Sequence, residues 1–202
     1  MTTPGYSDRI NHALAFAAKH HDQQVRRGTR PPYFTQPANL AIILTRYGCD
    51  EITVTAGILL DVVQDYSREG YPVDMLQQRI GAKFGPEVLS LALLASERRS
   101  DDDGAEMSPV ERREDQLVRL EATDQGAHWI AAAEALHSAA SLLADLRRTM
   151  DPESVWGRLA VGRERTVGWY RRLHNRLAEV GFQAPILAEL ASILAELERP
   201  AS

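Results

Sequence analysis

The chain has 202 residues, 44% hydrophobic and 25% charged, with 13 Gly, 10 Pro and a net charge of −5. That composition suits a globular protein with a sizeable core, and it lacks the basic surface expected of a nucleic-acid binder. A single cysteine, Cys49, excludes an intrachain disulfide and a Cys-based zinc site, and no apolar run approaches the roughly 20 residues that span a membrane, so a cytoplasmic location is expected.

Helical periodicity recurs throughout and strand signals are nearly absent. Ser7 is a good N-cap for a first helix to His21, with Ile10, Leu14 and Ala17 on one face. Gly28, Pro31 and Pro32 mark residues 22–35 as an Arg-rich loop. Pro37 suits the first turn of a second helix carrying Leu40, Ile43, Leu44 and Tyr47, which Gly48 closes, so that Cys49 reads as a turn residue. Asp50 can cap a third helix, rich in Val, Ile and Leu and central in the core, that runs to Gln64 or Asp65.

After a turn at 66–71, helices are expected near 73–83 and 86–98, then a mobile acidic loop at Ser100–Gly104. Ser108-Pro109-Val110-Glu111 has the form of a capping box with Pro at the first position, opening a helix to about Ala122. A long Ala/Leu-rich helix follows at about 125–147, a short one after Asp151-Pro152, and another at about 161–179. Gly181 and Pro185 set off a last helix with Ile186, Leu187, Leu190, Ile193, Leu194 and Leu197 on one stripe. The expected fold is all-α, a helical bundle in a single domain with a core of about 7–180 and a C-terminal helix of about 184–198.

Five blocks in this order resemble one family. They are His21-x-x-Gln24-x-Arg26-Arg27-Gly28-Thr29 with Pro32-Tyr33-x-x-Gln36-Pro37; Leu59-Leu60-Asp61-Val62-Val63-Gln64-Asp65; Ile80-Gly81-Ala82-Lys83-Phe84-Gly85; Ala133-Glu134-Ala135-Leu136-His137-Ser138; and Gly162 to Tyr170. Together they resemble the HD-domain hydrolases of the RelA/SpoT type, especially the small stand-alone alarmone hydrolases. The resemblance implies an HD-domain bundle, a manganese ion held by two His and two Asp, and an adjacent Glu-Asp pair that orients the attacking water. The reaction it implies is removal of pyrophosphate from the ribose 3′ position of (p)ppGpp.

Carried over position by position, the metal ligands fall on Gln36, Leu60, Asp61 and Glu134, and the Glu-Asp pair on Gln64 and Asp65. Only Asp61 and Glu134 are strong donors. Leu60 offers no lone pair, and Gln36 offers only a neutral carbonyl oxygen. An oxygen-only set would suit a weakly held magnesium- or calcium-like ion better than manganese, so no tightly bound cofactor is expected. Gln64 cannot serve as a base, because an amide takes no proton near neutral pH. Asp61, Gln64 and Asp65 share a helix face, so a polar pocket is expected around them and Glu134.

The nucleotide side is better kept. Arg26 and Arg27 stand for the family's Arg-Lys, Arg163 for a phosphate-binding Lys, Ser138 for an Asn, and Trp169-Tyr170 for an aromatic pair. Arginine can chelate phosphate and stack on a base. His137, at i+3 from Glu134, reads as packed and hydrogen-bonded, and His20 and His21 at a helix end read as structural.

The leading expectation is a degenerate pseudo-hydrolase that binds a guanine nucleotide or another phosphorylated small molecule, with no nucleic-acid or membrane partner. The alternatives are an active hydrolase with a rearranged carboxylate metal site, and an interaction protein that uses the last helix, including to form a homodimer.

Overall fold

The structure, a computed structural model, describes residues 6–26, 31–101, 103–159 and 161–199. The elements are helices α1 (Asp8–His20), α2 (Thr35–Arg46), α3 (Glu51–Arg68), α4 (Val73–Leu76), α5 (Ala82–Phe84), α6 (Pro86–Ala95), α7 (Pro109–Arg119), α8 (Gln125–Arg148), α9 (Pro152–Trp156), α10 (Gly162–Glu179) and α11 (Pro185–Glu198), with a π-helical turn at Gln77–Gly81 between α4 and α5. Among the described residues there are no strands beyond two isolated bridges, Val25 to Pro32 and Ser100 to Glu106, and no helix is long and apolar enough to cross a membrane.

The caps act where the sequence puts them. Ser7 accepts from Ile10 N and Asp50 from Thr53 N, while Ser108 and Glu111 form a reciprocal capping box; the structure adds Asp124, which accepts from Ala127 N. The center of the bundle is α3, which packs against α1, α2, α6 and α8. Its stretch from Ile58 to Val63 is completely buried except for Asp61, at 5% exposure. Gly57 is required where α2 crosses α3, because a Cβ there would lie 2.5 Å from Leu44 Cδ1.

The long α8 forms the second layer, in contact with α2, α3, α6, α9, α10 and α11. Ile186, Leu187, Leu190, Leu194 and Leu197 of α11 are buried against α8 and α10. Most of the last stripe is thus used within the chain, with Ile193 only partly buried.

Three local expectations are corrected. The π-helical turn interrupts the helix expected over 73–83. The helix expected to reach residue 98 ends at Ala95, because donors from α7 take its last carbonyls: Gln116 Nε2 to Ala95 O (3.2 Å), Arg119 to Leu94 O (2.9 Å) and to Ser96 O (2.7 Å). In the acidic loop Asp101 Oδ1 accepts from the backbone N–H groups of Asp103 (3.0 Å) and Ala105 (2.8 Å), which holds these residues in a turn, while Asp102 lies outside the described residues.

Candidate functional site

One face of α3 carries Asp61, Gln64 and Asp65, and the three side chains meet different surroundings. Asp61 lies close enough to Glu134 of α8 to act on its ionisation. Burial, then the charges of Asp61 and Glu97, push the Glu134 carboxyl up to about 8. At neutral pH Glu134 therefore holds its proton. Two carboxylates facing one another cannot both ionise cheaply, and here Glu134 holds the proton.

Gln64 lines a small cavity of about 30 Å³ with Ser67, Glu97, Arg98, Arg99 and Arg112. Leu60 is fully buried in the aliphatic core, and Gln36 is 8% exposed at the start of α2. This donor set does not fit the manganese ion that the resemblance implies. One position has no donor atom, one has a neutral amide, and a third carries a proton.

Asp65 turns toward the end of α1. Its Oδ2 lies 3.2 Å from His20 Nε2 and 3.9 Å from His21 Nδ1. The His20 ring packs edge-on against His21 at 4.7 Å and against Tyr66 at 5.0 Å. His21 is buried, its Nδ1 lies 2.8 Å from Gln24 Oε1, and its Nε2 has no hydrogen-bond partner among the described residues. Burial outweighs the Gln24 contact and holds the His21 imidazole below its usual range, so it is neutral at pH 7. Sequence reasoning missed this cluster. Its one signal was the His20-His21 doublet at a helix end, whose partner lies 45 residues away.

The expected nucleotide residues divide. Arg26, Ser138 and Tyr170 line a single cavity of about 320 Å³ with Ser141, Asp145, Arg158 and Thr166. The antiparallel bridge between Val25 and Pro32 (Arg26 N to Pro31 O, 3.0 Å; Tyr33 N to Gln24 O, 2.9 Å) holds Arg26 in place, and its Nη1 donates to Ser141 Oγ at 3.2 Å. Tyr170 is hydrogen-bonded to Ser138, and burial, then the charge of Glu134, raise its hydroxyl above the usual range. The cavity therefore adjoins the carboxylate pair.

Arg163 and Trp169 lie outside that cavity. The Arg163 guanidinium donates to Leu197 O (3.1 Å) and Arg199 O (2.6 Å) at the end of α11 and sits over Trp156. Trp169 lies under Arg113 in a separate groove with Arg165 and Arg172. Arg27 falls outside the described residues. His137 is packed as expected, but its Nε2 has no partner among the described residues. Burial, reinforced by the charge of Arg26, pushes its imidazole down to about 4.

A larger cavity, about 870 Å³, lies at the N-terminal ends of α3, α6 and α8 beside Trp129. None of the expected site residues lines it, and Asp50 and Asp124 there already serve as helix caps. Cys49 also lines it, its thiol pushed up to about 12 by burial and then by Asp50, which fits a turn residue and not a nucleophile.

With this geometry in place, comparison with known proteins decides the family. The profile of a family described as "HD domain" matches residues 13–153. The chain belongs to the HD-domain family. Its relatives include a guanosine-3′,5′-bis(diphosphate) 3′-pyrophosphohydrolase of Aquifex aeolicus, 32% identical over 88 residues, 44% of this chain and 12% of that protein. A probable guanosine-3′,5′-bis(diphosphate) 3′-pyrophosphohydrolase of Synechocystis is 39% identical over 82 residues, 41% of this chain and 10% of that one. The chain thus matches about a tenth of the length of these curated relatives.

Among solved structures, a metazoan ortholog of SpoT that hydrolyzes ppGpp aligns over 98% of this chain and 99% of its own, with a TM-score of 0.72 and 22% identity. At that identity the likeness establishes the HD-domain fold alone. A protein of Listeria monocytogenes EGD-e aligns over 83% of this chain and 98% of its own, with a TM-score of 0.65 and 26% identity.

Proposed function

We propose that this HD-domain chain is a pseudo-hydrolase that binds a guanine nucleotide of the (p)ppGpp type and is impaired in hydrolysing it, acting in the cytoplasm as a binding or regulatory protein. The cavity that gathers Arg26, Ser138 and Tyr170 carries the reading. It is large enough for a small ligand, whose pockets begin at about 300 Å³. It also presents a guanidinium for phosphate and a phenol for a ribose or base edge. The relatives that act on guanosine bis(diphosphate) supply the ligand class.

Impairment is supported by Leu60, which has no lone pair, and by Gln64, which cannot take a proton. Calorimetry with GDP and ppGpp tests binding. Heat is expected for the wild type and a loss of about tenfold or more in affinity for Arg26→Ala, the scale of a charge-assisted contact. No heat at millimolar nucleotide would reduce the chain to a scaffold.

A second reading, an active hydrolase with a rearranged carboxylate site, is favoured by the closeness of Asp61 and Glu134. Manganese- or magnesium-dependent release of pyrophosphate from ppGpp, abolished by Asp61→Ala, would establish it in place of the first.

A further inference from the structure

We propose that His20, His21 and Asp65, with Gln24 beside them, form a binding site for one divalent transition-metal ion, displaced by a helical turn from the family position at Asp61. Among the described residues, one ligand atom from each of His20, His21 and Asp65 lies within 4.8 Å of the others. The individual spacings are close to those of a coordination shell. Asp65 Oδ2 is 3.2 Å from His20 Nε2 and 3.9 Å from His21 Nδ1, and Gln24 Oε1 is 2.8 Å from the same Nδ1. Donors about 2.1 Å from a metal are about 3.0 Å apart in an octahedron and about 3.4 Å apart in a tetrahedron. The 3.9 Å gap must contract, and so must the spacing between the two imidazole donors, which reaches up to 4.8 Å.

The donor chemistry selects the ion. Two imidazole nitrogens and a carboxylate suit zinc, cobalt, iron or manganese, whereas magnesium and calcium take oxygen shells. Ligation needs an imidazole nitrogen free of its proton, and the buried His21 ring presents Nδ1 toward Asp65 and Gln24. Among the described residues no group at the buried His21 Nε2 fixes the tautomer from that side, so the ring proton can reside on Nε2 and leave the Nδ1 lone pair for an incoming ion. Access is also provided for. The side chains of His20 and Asp65 keep 14% and 18% of their surface in solvent, which leaves an entry path and room for water to complete the shell.

The site stands on different side chains from the carboxylate pair. Asp65 is four residues, one turn, beyond Asp61, and the imidazoles come from α1, not from the positions now held by Gln36 and Leu60. The proposal does not rest on nucleotide binding.

Titration of the metal-free full chain with Co²⁺, read by its visible d–d absorption, tests it. Binding of one ion per chain is expected, with affinity reduced at least about tenfold by His20→Ala and by Asp65→Asn, the scale for groups that hold a metal in place. Asp61→Asn and Glu134→Gln should bind as the wild type does. Zn²⁺ followed by long-range ¹⁵N–¹H spectra of the imidazoles gives a readout without substitution. The His20 and His21 ring resonances should move while those of His128 and His137 stay. Absence of binding at millimolar Co²⁺, unchanged affinity in His20→Ala, loss in Glu134→Gln, or unmoved His20 and His21 resonances would each overturn the proposal.

Discussion

Replacing Glu134 with Gln should make the protein more stable at high pH and leave it unchanged at low pH. Glu134 is partly buried on α8, and its carboxyl is displaced from the usual 4.5 to about 8 by burial and by the charges of Asp61 and Glu97. Between those two values the unfolded chain carries an ionised Glu134 while the native chain holds the proton. The unfolded state therefore binds fewer protons, and stability falls as pH rises through this window. Each unit of displacement is about 1.4 kcal/mol, which puts the ceiling near 5 kcal/mol.

Water and relaxation around a partly buried group screen much of that, and roughly 2 kcal/mol is the working figure. Glutamine has the shape of the protonated acid and cannot ionise. Glu134→Gln should thus match the wild type at about pH 5 and exceed it by about 2 kcal/mol at about pH 9, a rise of roughly 4–8 °C in Tm for a chain of this size. Thermal denaturation in the presence of chelator, at both pH values, measures it. An equal gain at the two pH values, or a gain confined to the acid side, would refute the argument that the two carboxylates share a proton.

Four further outcomes follow from the packing and charge of named residues. Leu60→His should cost about 2–4 kcal/mol, because the side chain is fully buried and an imidazole there finds apolar neighbours, while Leu60→Met should cost under about 1.5; urea denaturation separates them. Gly57→Ala should cost about 1–3 kcal/mol through the 2.5 Å approach to Leu44 Cδ1, and the double variant with Leu44→Ala should fall short of the sum of the two. Asp115→Ala should cost about 1–3 kcal/mol at neutral pH. Burial alone would raise the Asp115 carboxyl, but hydrogen bonds from Arg98 and Arg119 hold it below the usual range, so the loss should shrink as pH falls below about 4. Nucleotide affinity measured by calorimetry should weaken as pH rises through about 8, where Glu134 ionises beside the cavity, and Glu134→Gln should flatten the profile.

Helix starts were legible because their determinants are local: Ser7, Asp50 and Ser108 each accept from a backbone N–H three residues on. Helix ends were less so. The donors that stop α6 at Ala95 come from Gln116 and Arg119, more than twenty residues away. α3 continues to Arg68, past the expected end, where Tyr66 packs on His20 and Tyr71 and lies under Arg79. The site shows the same division. The shared face of Asp61, Gln64 and Asp65 follows from helical spacing, whereas the turn of Asp65 toward His20 and His21 depends on how α1 meets α3. Trp169 and Tyr170 are adjacent in sequence, but successive helical residues point about 100° apart. Tyr170 therefore joins Thr166 in the cavity with Arg26, while Trp169 joins Arg165 and Arg172 in another groove. Arg163 is held by the carbonyls that end α11, an interaction set 34 and 36 residues away.

On our proposed reading, in which Gln36 and Leu60 stand at the family's metal positions, the substitutions have one electrostatic consequence. An ion between Asp61 and Glu134 would neutralise both carboxylates. With Leu60 and Gln36 in place of imidazoles that ion loses its strongest donors, and a proton on Glu134 takes over part of its work. The proton leaves one negative charge where two would stand. That matters for the adjoining cavity, since Tyr170 feels the charge of Glu134 directly and Arg26 faces the same space. A phosphorylated ligand placed beside two ionised carboxylates would be repelled, but beside one neutral acid it meets chiefly the guanidinium. Removing the imidazoles while keeping both acids is therefore compatible with a binding site. On our proposed reading it weakens ion binding at that position, and the proton on Glu134 lowers the repulsion an anion would meet in the neighbouring cavity.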